Sequence, residues 1–145
     1  MTRIEASLAL IEREGRWFLQ RRDPSAKVLP GRWEFPGGKS EPGETALQTL
    51  LRELQEEVNW QPDQVVKLAS LFKLEDGVER VFHLFHCQGP TRLGTHLAWG
   101  WFTSVEISVL PIPPLNVAVL PFLSKGEAAG QPASMEQKNL FWEFP

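Results

Sequence analysis

The sequence has one cysteine, Cys87, so the chain cannot form an internal disulfide. It also lacks any stretch near the roughly 20 apolar residues that span a bilayer. The short apolar stretch from Ala6 to Ile11 is flanked by acids and has no cleavage site of the signal-peptide kind. A net charge of −3 argues against a nucleic-acid-binding surface. We therefore expect a cytoplasmic protein without a membrane or a stable nucleic-acid partner, and nothing in the sequence indicates its oligomeric state.

The length of 145 residues fits one compact domain. We assign residues 1–123 to this domain, and residues 124–145 to a polar, mobile tail with an aromatic end. Strands are predicted at residues 4–11, 17–20, 65–74, 78–87 and 99–102, with a short extended piece at 33–35 that Pro36-Gly37-Gly38 breaks. A short helix is predicted over residues 115–123. Several strands with two helices predict a mixed α/β layered domain.

The clearest element is a helix from Thr45 to Val58. Its apolar residues recur with helical spacing and predict one buried stripe, formed by Leu47, Leu50, Leu51, Leu54 and Val58. Thr45 and Gln48 are spaced for a capping box at the start. Asn59 suits the left-handed conformation that often ends a helix.

Three carboxylates, those of Glu53, Glu56 and Glu57, share one flank of this helix beside the apolar stripe. Like charges at this spacing repel each other, and a hard divalent cation such as Mg²⁺ would remove the repulsion. Without the cation, the same pattern is a solvated acidic face with Arg52 as its local partner.

The spacing of these residues matches a known motif. Gly38, then Glu44, then Arg52-Glu53-Leu54-Gln55-Glu56-Glu57 resembles the Nudix box, GX5EX7REUXEEXGU with U aliphatic. Asn59 replaces the box glycine and Trp60 the last aliphatic residue. The runs Trp33 to Lys39, Arg21-Arg22 and Pro113 to Asn116 are similar to the MutT-like branch of that family.

This resemblance implies an α/β (α+β) fold of the Nudix type, an α/β/α sandwich with a mixed central sheet. It implies that Glu53, Glu56, Glu57 and the Gly37 carbonyl bind Mg²⁺, with Mn²⁺ as a substitute. Arg52 would orient Glu53, the box residue best placed to accept a proton from water, and Glu44 would support that arrangement. The residues implied for substrate binding are Arg22, Phe35, Gly37, Gly38, Lys39, Arg80 and Asn116.

The activity implied by the resemblance is Mg²⁺-dependent hydrolysis of a nucleoside triphosphate, with 8-oxo-dGTP converted to 8-oxo-dGMP and pyrophosphate. Two alternatives stay open. The same chemistry can act on CTP, a methylated cytosine nucleotide or another nucleoside diphosphate-linked substrate. The domain can also be a non-catalytic module that binds nucleotides or recognises bases in DNA repair.

The loop before the strand at 99–102 departs from the MutT-like pattern. MutT-like enzymes usually carry a glutamate there, whereas nothing acidic lies between Glu79 and Glu106. His96 is the titratable candidate for a base in that loop. The general base and the number of metal ions therefore stay open.

Overall fold

The structure, a computed structural model, describes residues 2–110 and 118–123. The strands of the described residues are β1 (Thr2–Arg13), β2 (Arg16–Arg21), β3 (Trp33–Glu34), β4 (Gly37–Lys39), β5 (Gln64–Glu75), β6 (Val78–Gln88) and β7 (Ala98–Phe102). The helices are α1 (Ala46–Val58), α2 (Ser104–Ser108) and a 3₁₀ turn at Leu120–Leu123. No helix in this part of the chain is long and apolar enough to cross a bilayer.

The strands form one mixed sheet centred on β1. β1 runs parallel to β6 over ten residue pairs, from Thr2 opposite Val78 to Ile11 opposite Cys87. β5 and β6 form an antiparallel hairpin that turns at Asp76-Gly77, as predicted. The strand order is β3-β2-β1-β6-β5, with β4 paired to β1 and β7 paired to β2. This mixed sheet confirms the predicted fold class.

Alternate residues of β1 face two hydrophobic clusters, as expected for a strand covered on both faces. Ala9 and Ile11 pack with the buried stripe of α1. Leu8 and Leu10 pack on the other face, which residues 118–123 and Ile107 of α2 cover. The protein is therefore a three-layered α/β/α sandwich. The predicted helix over 115–123 is described only from residue 118 onward.

Both predicted ends of α1 are confirmed. Thr45 forms a capping box with Gln48, and Asn59 ends the helix in the left-handed conformation with φ 47° and ψ 50°. Trp60 packs into the core, also as predicted. The prediction that Leu47 is part of the buried apolar stripe was wrong, because this side chain is 44% exposed. The first turn packs instead through Thr49, whose hydroxyl bonds to Ser40, Glu44 and the Thr45 carbonyl.

Two local features differ from the sequence analysis. Pro36-Gly37-Gly38 was predicted to break the extended piece at 33–35, and β3 does end at Glu34, but the chain resumes at once as strand β4 over Gly37–Lys39, paired with β1. Gly37 allows this close pairing because a Cβ there would lie 2.1 Å from the Ser7 carbonyl oxygen. The short helix α2, capped by Thr103 and Glu106, was not predicted because five residues are too few to show a helical period.

Candidate active site

Two glutamates one helical turn apart on α1 form the centre of the candidate site. The side chains of Glu53 and Glu57 are within hydrogen-bonding contact of each other. The Gly37 amide of β4 donates to Glu57 Oε2 at 3.0 Å, and Gln20 Nε2 of β2 donates to Glu57 Oε1 at 2.9 Å. The pair therefore lies where α1 meets β4 and β2, beside the double glycine.

The electrostatics of this pair favour a bound cation. Burial, followed by the contact with Glu53, raises the pKa of Glu57 to about 9. Two partly buried carboxylates in contact cannot both ionise cheaply unless a positive charge compensates them. Carboxylate oxygens are also the ligands that Mg²⁺ prefers. The donor set and its repulsion therefore fit a divalent metal.

Gly38 leaves the space that the Glu53 side chain occupies. A Cβ at Gly38 would lie 2.6 Å from Glu53 Cδ and 2.7 Å from each carboxylate oxygen. Such distances are well inside van der Waals contact, so only glycine lets this carboxylate lie against β4. The spacing between Gly38 and Glu53 in the sequence thus corresponds to a direct contact in the fold.

Arg52 connects Glu53 of α1 to Glu44 in the loop before the helix through hydrogen bonds. Its guanidinium binds Glu44 at 2.7 and 3.0 Å, a bidentate pair. The same group donates to Glu53 Oε1 at 2.9 Å and to the Lys39 carbonyl at 3.0 Å. Glu53 is therefore held from one side by Arg52 and from the other by the backbone of β4. This contact pattern is what the predicted orienting role of Arg52 requires.

We expect the Glu44–Arg52 pair to stabilise the fold in a pH-dependent way. Arg52 lowers the pKa of Glu44 from 4.5 to about 2, so this stabilisation is present above pH 4.5 and is lost as the pH falls towards 2. Glu44→Gln should therefore melt below the wild type at pH 7, with the difference shrinking through that window. Calorimetric scans at several pH values measure it. A difference that stays constant with pH would contradict the charge pairing, and Glu75→Gln on the β5–β6 hairpin is the control.

Glu56 does not join the other two acids. Its side chain is 59% exposed and lies 3.4 Å from Arg52 Nη1. Among residues 2–110 and 118–123, no group of three or more His, Cys, Asp or Glu side chains is arranged to hold a metal ion. The structure thus brings together Glu53 and Glu57, while metal binding by Glu56 and by the Gly37 carbonyl stays a prediction.

The predicted substrate residues are spread over three places. Arg22 is buried and pairs with Glu34 at 2.5 Å. Phe35 is buried in the cluster on the sheet face opposite α1. Arg80 lies two residues before Phe82 on β6, so both residues are on that same face. Lys39 is exposed and borders a cavity of about 460 Å³ that Glu44 also lines. Asn116 lies outside the described residues.

Three residues near the carboxylate pair were not predicted. Gln20 contacts Glu57 directly, and Thr95 contacts Gln20. Glu34 lies close enough to Glu57 to raise its pKa further. The sequence offered one weak signal, a polar residue at position 20 directly after the three bulky apolar residues Trp17-Phe18-Leu19 of β2. His96, the predicted alternative base, is exposed next to Thr95.

Comparisons with known proteins agree with this geometry. The family model described as NUDIX domain matches residues 1–122. The 8-oxo-dGTP diphosphatase of Escherichia coli K12 is 41% identical over 134 residues, which cover 86% of this chain and 99% of the relative. The CTP pyrophosphohydrolase of the same organism is 35% identical over 125 residues, covering 83% and 90%. The solution structure of the E. coli ORF135 protein superposes with a TM-score of 0.71 at 33% identity, covering 83% and 87%.

Proposed function

Since the chain belongs to the Nudix family and is a Nudix pyrophosphohydrolase with MutT-like relatives, we propose that it hydrolyses 8-oxo-dGTP with Mg²⁺. The products are 8-oxo-dGMP and pyrophosphate. The observation that carries the proposal is the partly buried pair of Glu53 and Glu57 at the double glycine. Such a pair needs a cation to be fully ionised, and a nucleoside triphosphate brings its phosphates to that cation.

The residues of the site have distinct roles in this proposal. Glu53 and Glu57, with Glu56 and the Gly37 carbonyl, hold Mg²⁺ or Mn²⁺. The bound ion would neutralise part of the phosphate charge and lower the pKa of a bound water. Glu53, oriented by the Arg52 guanidinium, accepts a proton from the attacking water. The water oxygen bonds to one of the two phosphorus atoms joined by the α–β bridging oxygen, and that oxygen leaves with the other fragment.

The substrate base is assigned to the sheet face opposite α1. Phe35 and Arg80 lie on that face, and Asn116, outside the described residues, is proposed as a third residue that binds the base. An asparagine amide can donate and accept, so it can read the O6 and N7 edge of a purine. Oxidation at C8 turns N7 from an acceptor into a donor, which gives such an amide a feature to discriminate. The Escherichia coli 8-oxo-dGTP diphosphatase, aligned over 99% of its own length, supports this choice.

A second substrate, CTP, is supported by the CTP pyrophosphohydrolase aligned over 90% of its length. A panel of 8-oxo-dGTP, dGTP, CTP and 5-methyl-dCTP separates the two. We expect kcat/KM for 8-oxo-dGTP to exceed the others by about tenfold or more, since one matched polar contact is worth at least that much.

Pyrophosphate release, followed in Mg²⁺ and again in excess chelator, is the measurement. A higher kcat/KM for CTP than for 8-oxo-dGTP would reject 8-oxo-dGTP as the preferred substrate and support CTP. Nucleotide binding without metal-dependent release would point to a binding module instead.

A further inference from the structure

Gln20 is a buried polar side chain whose amide is hydrogen-bonded at both its nitrogen and its oxygen. It is 1% exposed and lies in β2 beside Leu19, which is buried in the core. Its Nε2 donates to Glu57 Oε1 at 2.9 Å, and its Oε1 accepts from the Thr95 hydroxyl at 3.1 Å. A buried amide is costly unless both of its ends are hydrogen-bonded, and here both ends are.

These contacts fix the Glu57 carboxylate from two strands. The Gly37 amide of β4 donates to one oxygen and Gln20 of β2 donates to the other. Each oxygen keeps a second lone pair for another ligand, since a carboxylate has about four acceptor sites. We propose that Gln20 is a positioning residue for Glu57, and that the loop before β7 sets the orientation of Gln20 through Thr95. The link to metal binding rests on the proposed function.

The hydrogen bonds run in one direction from the loop to the acid. The Leu97 backbone N–H donates to Thr95 Oγ1 at 3.2 Å, so this hydroxyl directs its own proton to Gln20 Oε1. That contact turns the amide so that its NH₂ group faces Glu57. The reversed amide would place a carbonyl oxygen against a carboxylate oxygen. Bonds aligned in this way polarise each other and strengthen the last one.

The loop is itself anchored to the helix that carries the acids. The Gly94 amide donates to the Val58 carbonyl at 2.7 Å, immediately after Glu57 in the chain. Thr95 is therefore held in place from both sides, by Gly94 and by Leu97. The loop lacks an acidic residue, so it acts on the site by fixing the orientation of Glu57 rather than by adding a ligand.

The test compares Thr95→Val, which keeps the shape and removes the hydroxyl, with Thr95→Ser, which restores the hydroxyl. Thr91→Val makes the same change at an exposed position of the same loop. Calorimetric titration with Mn²⁺ alone measures metal affinity. We expect Thr95→Val to weaken Mn²⁺ binding about tenfold, the usual effect of losing a residue that orients a ligand. Thr95→Ser should recover most of that loss, and Thr91→Val should bind as the wild type does.

Gln20→Met supplies a second variant with similar volume and no amide. It should weaken Mn²⁺ at least as much as Thr95→Val, and the double variant should be no weaker than Gln20→Met, since Thr95 acts through Gln20. The Mg²⁺ concentration for half-maximal turnover should rise in parallel, with kcat at saturating Mg²⁺ changing less.

Equal Mn²⁺ affinity in Thr95→Val and the wild type, with normal hydrolysis of 8-oxo-dGTP, would overturn this inference and leave the proposed function intact. Additive losses in the double variant would also overturn it. If Thr95→Val weakened Mn²⁺ binding but the wild-type protein hydrolysed no nucleotide, the inference would be supported and the proposed function rejected. A wild-type protein that binds no Mn²⁺ would overturn both.

Discussion

Replacing Glu53 by glutamine should lower kcat about a thousandfold and raise the melting temperature of the metal-free protein. The loss of activity follows from removing a proposed metal ligand and proton acceptor, worth roughly 4 kcal/mol of transition-state stabilisation. The gain in stability has a separate cause. Glu53 and Glu57 are in contact, and the pKa of Glu57 is raised to about 9 by burial and by Glu53. A neutral amide at position 53 can donate to Glu57 and still accept from Arg52.

The two measured quantities, Tm and kcat, test these two causes separately. A gain of 1 kcal/mol raises Tm by about 3 °C in a domain of this size. Calorimetry in excess chelator gives Tm, and pyrophosphate release from 8-oxo-dGTP in saturating Mg²⁺ gives kcat. Glu75→Gln, at the exposed end of β5, is the matched control and should change neither. A Glu53→Gln variant with a lower Tm would contradict the proposed repulsion between Glu53 and Glu57, and a variant with unchanged kcat would contradict the catalytic role of Glu53.

The sequence predicted the two ends of α1 correctly, because each end depends on residues within one helical turn. The spacing of Thr45 and Gln48 predicted the capping box, and Asn59 predicted the left-handed end of α1, because both effects act within one turn. The motif placed Gly38 and Glu53 in one site, but their contact, and the reason for the glycine, became visible only in the structure as a missing Cβ. The family and the fold could therefore be inferred from about twenty residues.

Contacts between distant segments could not be predicted in the same way. Gln20 lies 37 residues from Glu57, and Thr95 lies 75 residues from Gln20. Nothing in the local pattern of β2 indicates which partner Gln20 meets once the sheet forms. The exposure of Glu56 is a similar case. Helical spacing placed it on the same flank as Glu53, but that spacing does not specify where β4 crosses the helix.

Gly38→Ala should lower kcat about a hundredfold, because displacing a catalytic group by about 1 Å costs that much. The new Cβ would lie 2.6 Å from Glu53 Cδ, so the carboxylate would have to leave β4 or the strand would have to shift. Either movement separates Glu53 from its contact with Glu57. Steady-state kinetics at saturating Mg²⁺ and 8-oxo-dGTP measure kcat, and a wild-type circular dichroism spectrum shows that the fold persists.

Gly94→Ala is the matched control, since a Cβ there meets its nearest neighbours, Asn59 Cβ and the Val58 carbonyl oxygen, at 4.0 Å. It adds the same methyl group and should leave kcat within about twofold of wild type, as is usual for surface changes. If Gly38→Ala also kept full activity, Glu53 would not need its place against β4 to act. The proton acceptor would then have to be sought elsewhere, and His96 beside Thr95 would be the first residue to replace.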